Sequence, residues 1–537
     1  GRGFYEMDKN NIAPRVAFAW TPTNRWVVRG GYSKVFDRIG HGIAANFDAG
    51  SSFGMATVLS SPFGAPYETT PGARFVDVST MPVTLPAAPL GGFPQTPPLE
   101  AGVITSSIDD TLVTPSAHML NFIIGHDLGN SYTIEAGYIG RFGRDLLTRR
   151  DMAMPLNLVD TGSGVDYFAA AGQMIDAIQA AGIAPGSPIG AYAGFPSIPY
   201  FDNLFPDAAF GGFTATQQFA RRFNNDGPDY ITTLWRADQF CVPGCTKFGP
   251  FSYFAQQYDS LAALSSVGRS NYNAMILSFR KRYSSGYQFD INYTLSKSED
   301  LGSNNERGSA FGNYGAGGYS GFLINSWDPE QNYGLSDFDV THLVNMNGIW
   351  DLPFGQGRRH AANVGNVMNA IIGDWSVAGV GRWSSGFPFA VINCRSCGAT
   401  NWNLQGNAVL LDPNNKPEIG IVRDAIDGRP SVFIDPEAAL DFFRFARPGE
   451  AGDRNPFRGD GYFTADFSLS KAWQMPGGGQ RLRFRWDVFN VTNHVSFDVD
   501  NLNVFPDRSG FGRYDGSLAT CDARAGRCMQ FAFRYEF

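Results

Sequence analysis

Charge is scarce in this chain: Asp, Glu, Lys and Arg make up 17% of its 537 residues, against about 25% in an ordinary soluble protein. What charge there is sums to −8, so no basic excess is available to neutralise a phosphate backbone, and nucleic acid is not an expected partner. Long hydrophobic runs are missing too. Apolar stretches, such as those at 371–372 and 409–411, fall far short of the about 18 residues a membrane helix needs, so no helix is expected to cross a bilayer. The six histidines are scattered and form no Ser, His, Asp series of the hydrolytic kind. An initiator Met and an apolar leader are also lacking; the opening Gly1-Arg2-Gly3 leads us to expect a processed or truncated piece of a longer product.

Aromatic residues, by contrast, are plentiful. Phe 45, Tyr 21 and Trp 10 bring them to 14%, while 63 glycines and 32 prolines are spread without a collagen period and punctuate many turns. The aromatics fall into period-two segments. Phe531, Phe533, Tyr535 and Phe537 alternate with Ala532, Arg534 and Glu536; Leu482, Phe484, Trp486 and Val488 alternate with Arg481, Arg483, Arg485 and Asp487; Phe463, Ala465, Phe467 and Leu469 alternate with Asp466 and Ser468. Successive side chains of a strand point to opposite faces, so each segment reads as a strand with one apolar and one polar face. Similar segments at 16–20, 25–36, 119–125, 131–142, 271–282, 287–296, 343–352 and 375–389 bring the expected number of strands to roughly eleven.

Connection lengths alternate as well. Short links at 21–24, 127–130, 283–286, 355–374 and 475–480 alternate with long ones at 37–117, 143–270, 297–342, 390–461 and 493–527. One edge of the sheet therefore has turns and the other has large loops, as in an outer-membrane barrel with short periplasmic turns and long extracellular loops. Trp20, Trp26, Trp350, Trp375, Trp383 and Trp473 lie near the expected strand ends, where interfacial aromatic girdles belong. The expected fold is all-β: an antiparallel transmembrane β-barrel with long extracellular loops.

The motifs Pro14-Arg15-Val16-Ala17-Phe18-Ala19-Trp20, Val28-Arg29-Gly30-Gly31-Tyr32, Asn271-Tyr272-Asn273-Ala274, Ser336-Asp337-Phe338-Asp339-Val340-Thr341-His342, Gly373-Asp374-Trp375-Ser376-Val377, Ser385-Gly386-Phe387-Pro388-Phe389, Asp487-Val488-Phe489-Asn490-Val491-Thr492-Asn493-His494 and the terminal Phe537 carry a resemblance. In that order they resemble the C-terminal part of the barrel of a TonB-dependent outer-membrane receptor of the Oar-like branch. The resemblance covers nearly all the expected strands and few loop residues. It implies a roughly 22-strand barrel filled by a plug. It also implies a partner, the inner-membrane TonB energy-coupling complex, and an assembly signal in Phe531, Phe533, Tyr535 and Phe537. No plug-like or TonB-contacting segment is recognisable, and about half of such a barrel's strands are absent, so the chain is expected to be the C-terminal part of the barrel.

The residues themselves yield modest candidates. Asp337, Asp339 and His342 suggest a metal or acid–base site, but on an extended strand His342 leaves the face of the two carboxylates, and structural polarity outweighs the site. Gly355-Gln356-Gly357 reads as a turn and not a phosphate loop. Arg481, Arg483 and Arg485 with Asp466 and Asp487 form either a transport path or, by the stronger reading, a charge lattice lining the lumen. A short helix is expected at 168–184 as part of a loop lid. The rings Phe201, Phe205, Phe210, Phe213, Phe219, Phe223, Tyr230, Trp235 and Phe240 make a small loop core in preference to a sugar-stacking surface.

The cysteines sort into close pairs, Cys241 with Cys245, Cys394 with Cys397 and Cys521 with Cys528, all in or beside long loops. The Cys394–Cys397 spacing also fits a redox motif or half a zinc site, yet neither βαβ context nor a second ligand pair accompanies it, so disulfides in an oxidising compartment are the better reading. No metal, cofactor or catalytic residue is expected. The leading functional expectation is an outer-membrane transporter or receptor for a large, unidentified substrate, embedded in outer-membrane lipid. A passive or structural surface barrel is the alternative, and a barrel-borne surface hydrolase comes third.

Overall fold

A computed structural model describes residues 8–37, 98–100, 102–303, 322–394, 397–402, 404–423, 428–475, 479–506, 509–519 and 526–537. Most of the loop expected at 37–117, and part of the one at 297–342, lies outside the described residues.

Eleven strands follow one another in a single antiparallel path: β1 (Arg15–Thr23), β2 (Trp26–Phe36), β3 (Ser116–Gly129), β4 (Tyr132–Asp151), β5 (Tyr258–Ser284), β6 (Tyr287–Asp300), β7 (His342–Asp351), β8 (Trp375–Ser384), β9 (Tyr462–Gln474), β10 (Arg481–Phe489) and β11 (Cys528–Glu536). Each pairs only with its chain neighbours along this path, so the sheet is a meander. Two turns show how tightly the short links are made. Asn130 and Ser131 have φ of 52° and 71°, and Ser285 and Gly286 have 56° and 85°. Positive φ at both central positions matches the right-handed twist of the flanking strands.

The register aligns the period-two pattern from strand to strand. One row runs Trp20, Val28, Ile124, Ala136, Leu277, Tyr293, Val344, Trp383, Phe463 across nine strands without a polar residue. Leu482, Phe484 and Trp486 lie opposite Tyr535, Phe533 and Phe531 on the same apolar face. The reverse face carries Glu135, Ser278, Asn292, Asn345, Arg382 and Thr464 in one row. Many apolar-face rings are open to the surroundings; Phe531 is 63% and Phe533 70% exposed. So broad an exposed apolar surface suits a hydrocarbon solvent and not water. No helix among the described residues is long and apolar enough to cross a membrane; the strands do the crossing.

The wall departs from the expected strand ends on the loop side. β4 continues to Asp151, β5 begins at Tyr258 and β6 reaches Asp300. Past the apolar band these strands are covered by other chain: Val103–Ile108 adds in parallel to β5, and Phe322–Leu323 in parallel to β4. Ala262, Ala263 and Leu264 are buried there. Pairing and burial of this second kind leave no period-two signature, so the expected strands stop short of the observed ones on this side. The segment expected as one strand at 375–389 ends at Ser384, and Pro388–Phe389 pairs separately with Phe457–Arg458.

The wall assignment is testable at Leu277, on the apolar face of β5 opposite Ala136. Leu277→Arg is expected to cost about 2–4 kcal/mol if the site lies near the bilayer midplane, read as a lowered urea midpoint in vesicles. Ser278→Arg, on the polar face opposite Glu135, is expected to leave that midpoint nearly unchanged. Equal effects at the two positions would refute the facing.

Candidate functional site

The loop side carries a folded cap made of two units. The first spans 152–257 and is helical: α1 (Tyr167–Ala181), α2 (Pro199–Leu204), α3 (Ala215–Asp226) and α4 (Tyr230–Phe240). Local sequence starts and stops these helices. The Asp166 carboxylate accepts from the Ala169 N–H at 2.8 Å, and Gly182 closes α1 with φ 61°. Thr214 and Gln217 form a reciprocal capping box at α3. The helix expected at 168–184 is α1. Phe201, Phe205, Phe219 and Phe223 are fully buried against Tyr167, Tyr200 and Tyr253, and the Tyr200 and Tyr253 hydroxyls meet at 2.6 Å. These rings are therefore core and offer no stacking surface; Phe210 and Phe240 are exposed.

Buried carboxylates pin the irregular chain of this unit. Asp238 accepts from the backbone N–H groups of Ser252, Tyr253 and Phe254 at 2.7, 3.1 and 2.9 Å. Asp160 is buried, and desolvation by itself would raise its pKa. Hydrogen bonds donated by Asn203, Ser163 and Gly162 outweigh that and hold it at about 2. Cys241 and Cys245 are joined by a disulfide just after α4.

The second unit assembles from distant stretches around Phe389, Phe433, Phe457, Phe511 and Tyr514. Within it the Glu450 carboxylate accepts from both terminal guanidinium nitrogens of Arg444 at 2.6 and 2.8 Å. Burial works against ionisation of that carboxyl, but its bonds from Arg444 and the Arg447 N–H prevail and lower its pKa. A Cys394–Cys397 disulfide leads into Gly398, which ties the two units together. The Gly398 N–H donates to Asp229 at 3.0 Å, its carbonyl accepts from the Ile231 N–H at 3.0 Å, and Trp402 stacks on Trp235 at 4.5 Å. Arg447 pairs with Asp176 across the same junction.

An ion cluster fastens the second unit to the wall. Arg454, with its side chain 8% exposed, lies 2.7 Å from Asp300 and 3.2 Å from Asp337, and donates to the Asp300 carbonyl at 2.7 Å. Arg458 pairs with Asp339, which is 1% exposed and also accepts from the Ser298 N–H. Asp337 and Asp339 thus hold arginines. His342 instead stands at the start of β7, its Nδ1 2.9 Å from the Tyr293 hydroxyl. No group of three or more His, Cys, Asp or Glu among the described residues is placed to hold a metal. The two arginines were missed because sequence reading saw only the acidic half of the cluster, more than 100 residues away.

Of the residues expected to form a lattice, Arg485 and Asp487 come together at 2.8 Å and Arg483 lies 3.8 Å from Glu536. Asp466 meets none of the arginines and accepts from the Asn490 N–H at 2.8 Å. Arg481, Arg483 and Arg485 line a cleft of about 600 Å³ with Asp351, Arg358 and Asp374. Cleft and lattice lie towards the turn end of β8 to β10. Phe531, Phe533 and Tyr535 project from the apolar face of β11, with Trp486 stacked on Phe531 at 6.0 Å. Cys528 is not a free thiol; Cys521 lies outside the described residues.

The family described as outer membrane beta barrel domain matches residues 1–530. No curated protein sequence matches the chain. Among solved structures it is similar to the outer membrane transporter YddB from Escherichia coli, with 11% identity, a TM-score of 0.39, and coverage of 98% of this chain and 41% of that one. The ferripyoverdine receptor of the outer membrane of Pseudomonas aeruginosa gives 9% identity and a TM-score of 0.32, covering 98% of this chain and 33% of that one. The ferric citrate transporter FecA gives 7% and 0.33, covering 98% and 38%. The chain spans less than half the length of these proteins.

Two outcomes follow from the cap. Arg454→Ala leaves buried carboxylates uncompensated, at a cost of about 3–5 kcal/mol. It should speed proteolysis and hydrogen exchange around 334–337 and 449–458 without lowering the wall's own thermal transition; unchanged exchange would remove the clamp from the account. Asp160 has a folded pKa below its ordinary value of 3.8, so its stabilisation is present above that value and is lost as pH falls towards about 2. Acid titration should open the 152–257 unit in that window, and Asp160→Asn should flatten this part of the profile.

Proposed function

Because the chain belongs to the outer membrane beta barrel domain family, we propose that it is the C-terminal part of the barrel of a TonB-dependent receptor that binds or moves a large substrate across the outer membrane. Eleven alternating strands support the reading. With an odd number, β1 and β11 run in the same direction, so antiparallel closure needs an odd number of further strands between them. Open edges in lipid would leave backbone groups unpaired, at several kcal/mol each.

In this reading the long loops at 37–117, 143–270, 297–342, 390–461 and 493–527 face outward and the short turns face the periplasm. The segregation of a folded cap to one edge of the sheet is the observation that carries it. The disulfides at Cys241–Cys245 and Cys394–Cys397 suit an oxidising compartment. A Cys521–Cys528 disulfide, the assembly signal at Phe531, Phe533, Tyr535 and Phe537, and the Oar-like placement are parts of the same proposal. The polar wall, with Asp466, Arg481, Arg483, Arg485 and Asp487, would face the lumen. Energy would come from the TonB complex, and no enzymatic role is assigned.

Planar-bilayer recording of the full-length protein tests the reading. A transporter of this kind should be electrically silent until denaturant or force displaces an internal plug, and its periplasmic end should bind the TonB periplasmic domain. Stable open channels without treatment, and no TonB binding, would favour a passive porin-like barrel.

A further inference from the structure

The connection between β7 and β8 contains a seven-residue helix, α5 (Asn366–Ile372), too short to be stable by itself. Side chains of the wall hold its C-terminal end. The indole of Trp473 donates to the Ala370 carbonyl at 2.8 Å, the indole of Trp375 to the Ile371 carbonyl at 2.8 Å, and the Lys471 ammonium to the Gly373 carbonyl. These are carbonyls that a helix end leaves without intrahelical partners.

The register says where the donors stand. Trp375 is opposite Lys471, Lys471 opposite Phe484, and Trp473 opposite Leu482. All three donors therefore rise from the apolar face of the wall, and α5 lies against its outside. The inward side of α5 is pinned by Asn369, whose side-chain oxygen accepts from the Gln356 N–H at 2.7 Å. Its other side presents Val367, Met368 and Ile371, exposed by 80%, 50% and 61%. At 100° per residue these three fall on one narrow face.

We propose that α5 is a membrane-interface anchor, with Val367, Met368 and Ile371 sunk among the acyl chains of phospholipids on the turn side of the wall. It rests on the embedding of the barrel in lipid and adds to it a contact outside the strands. The free face of α5 continues the apolar face of an outer-membrane barrel, so the solvent that covers the strands covers the helix too. Trp375 and Trp473 mark the interface, where an indole keeps its ring in apolar surroundings and its N–H on a polar partner. Lys471 bends its ammonium from the same face to a carbonyl and lies 5.0 Å from the Trp375 ring and 5.4 Å from that of Trp473. Arg359, exposed earlier in the connection, supplies a positive charge at the level of the phosphates.

Nitroxide labels on single cysteines at Val367, Ile371, Arg359 and Ile291 test this in the full-length protein, reconstituted in phosphatidylethanolamine–phosphatidylglycerol vesicles. Ile291 lies on the apolar face of β6 and reports barrel embedding independently. Power saturation should give labels at 367 and 371 an oxygen-to-nickel-chelate accessibility ratio several-fold above that at 359 and approaching that at 291. Water-like ratios at 367 and 371 beside a lipid-like 291 would overturn the anchor and leave the embedded barrel standing. Water-like ratios at all four would overturn both. Dipolar broadening between labels at 367 would assign the face to a second copy of the chain and refute the lipid contact.

Discussion

Inside hydrocarbon a backbone amide has no water to bond, so a chain that crosses a membrane with strands must pair each strand on both sides. The ladder meets that demand for the nine strands between β1 and β11, and most other features follow from it. Period two lets each strand be apolar on one face and polar on the other, and along the eleven-strand path the meander pairs consecutive strands. The links on one side shrink to positive-φ turns at Asn130–Ser131 and Ser285–Gly286. The chain leaves the ladder to build helices and irregular cores on the loop side.

There the physics changes. Water is again available to exposed backbone, and the cap is organised by aromatic burial, helix caps and carboxylates that collect backbone N–H groups, as Asp238 does. The cap still depends on the wall. Asp300 ends β6, and Asp337 and Asp339 lie just before β7, so the arginines that dock the second unit grip the two strand ends. A cap held by buried ion pairs at strand ends is fixed relative to those ends of the wall.

The candidate site was legible only where partners are near in sequence. Arg485 and Asp487 are two residues apart on one face of a strand, and they pair. Cys241 with Cys245 and Cys394 with Cys397 are separated by four and three residues, and each pair is bonded. Asp466 and the arginines lie on neighbouring strands, but the register offset puts Asp466 at the Asn490 end, where a backbone donor takes it. Arg454 and Arg458 carried no signal, because nothing local distinguishes a clamping arginine from a solvated one. The same holds for Trp375 and Trp473, expected as girdle residues, which together with Lys471 also cap the end of α5.

By itself the sequence determined the all-β class, the number and order of the strands, the face each side chain takes and the side that bears the loops. All of these are written in a two-residue period and in connection lengths, and lipid enforces the period on any chain that crosses it with strands. The tertiary structure decided how far β4, β5 and β6 rise beyond the apolar band, which loop segments share a core and which charges meet. Those outcomes depend on contacts between residues more than 100 positions apart, such as Arg454 with Asp300. Such contacts are selected by the packing of the whole cap, and no local pattern encodes them.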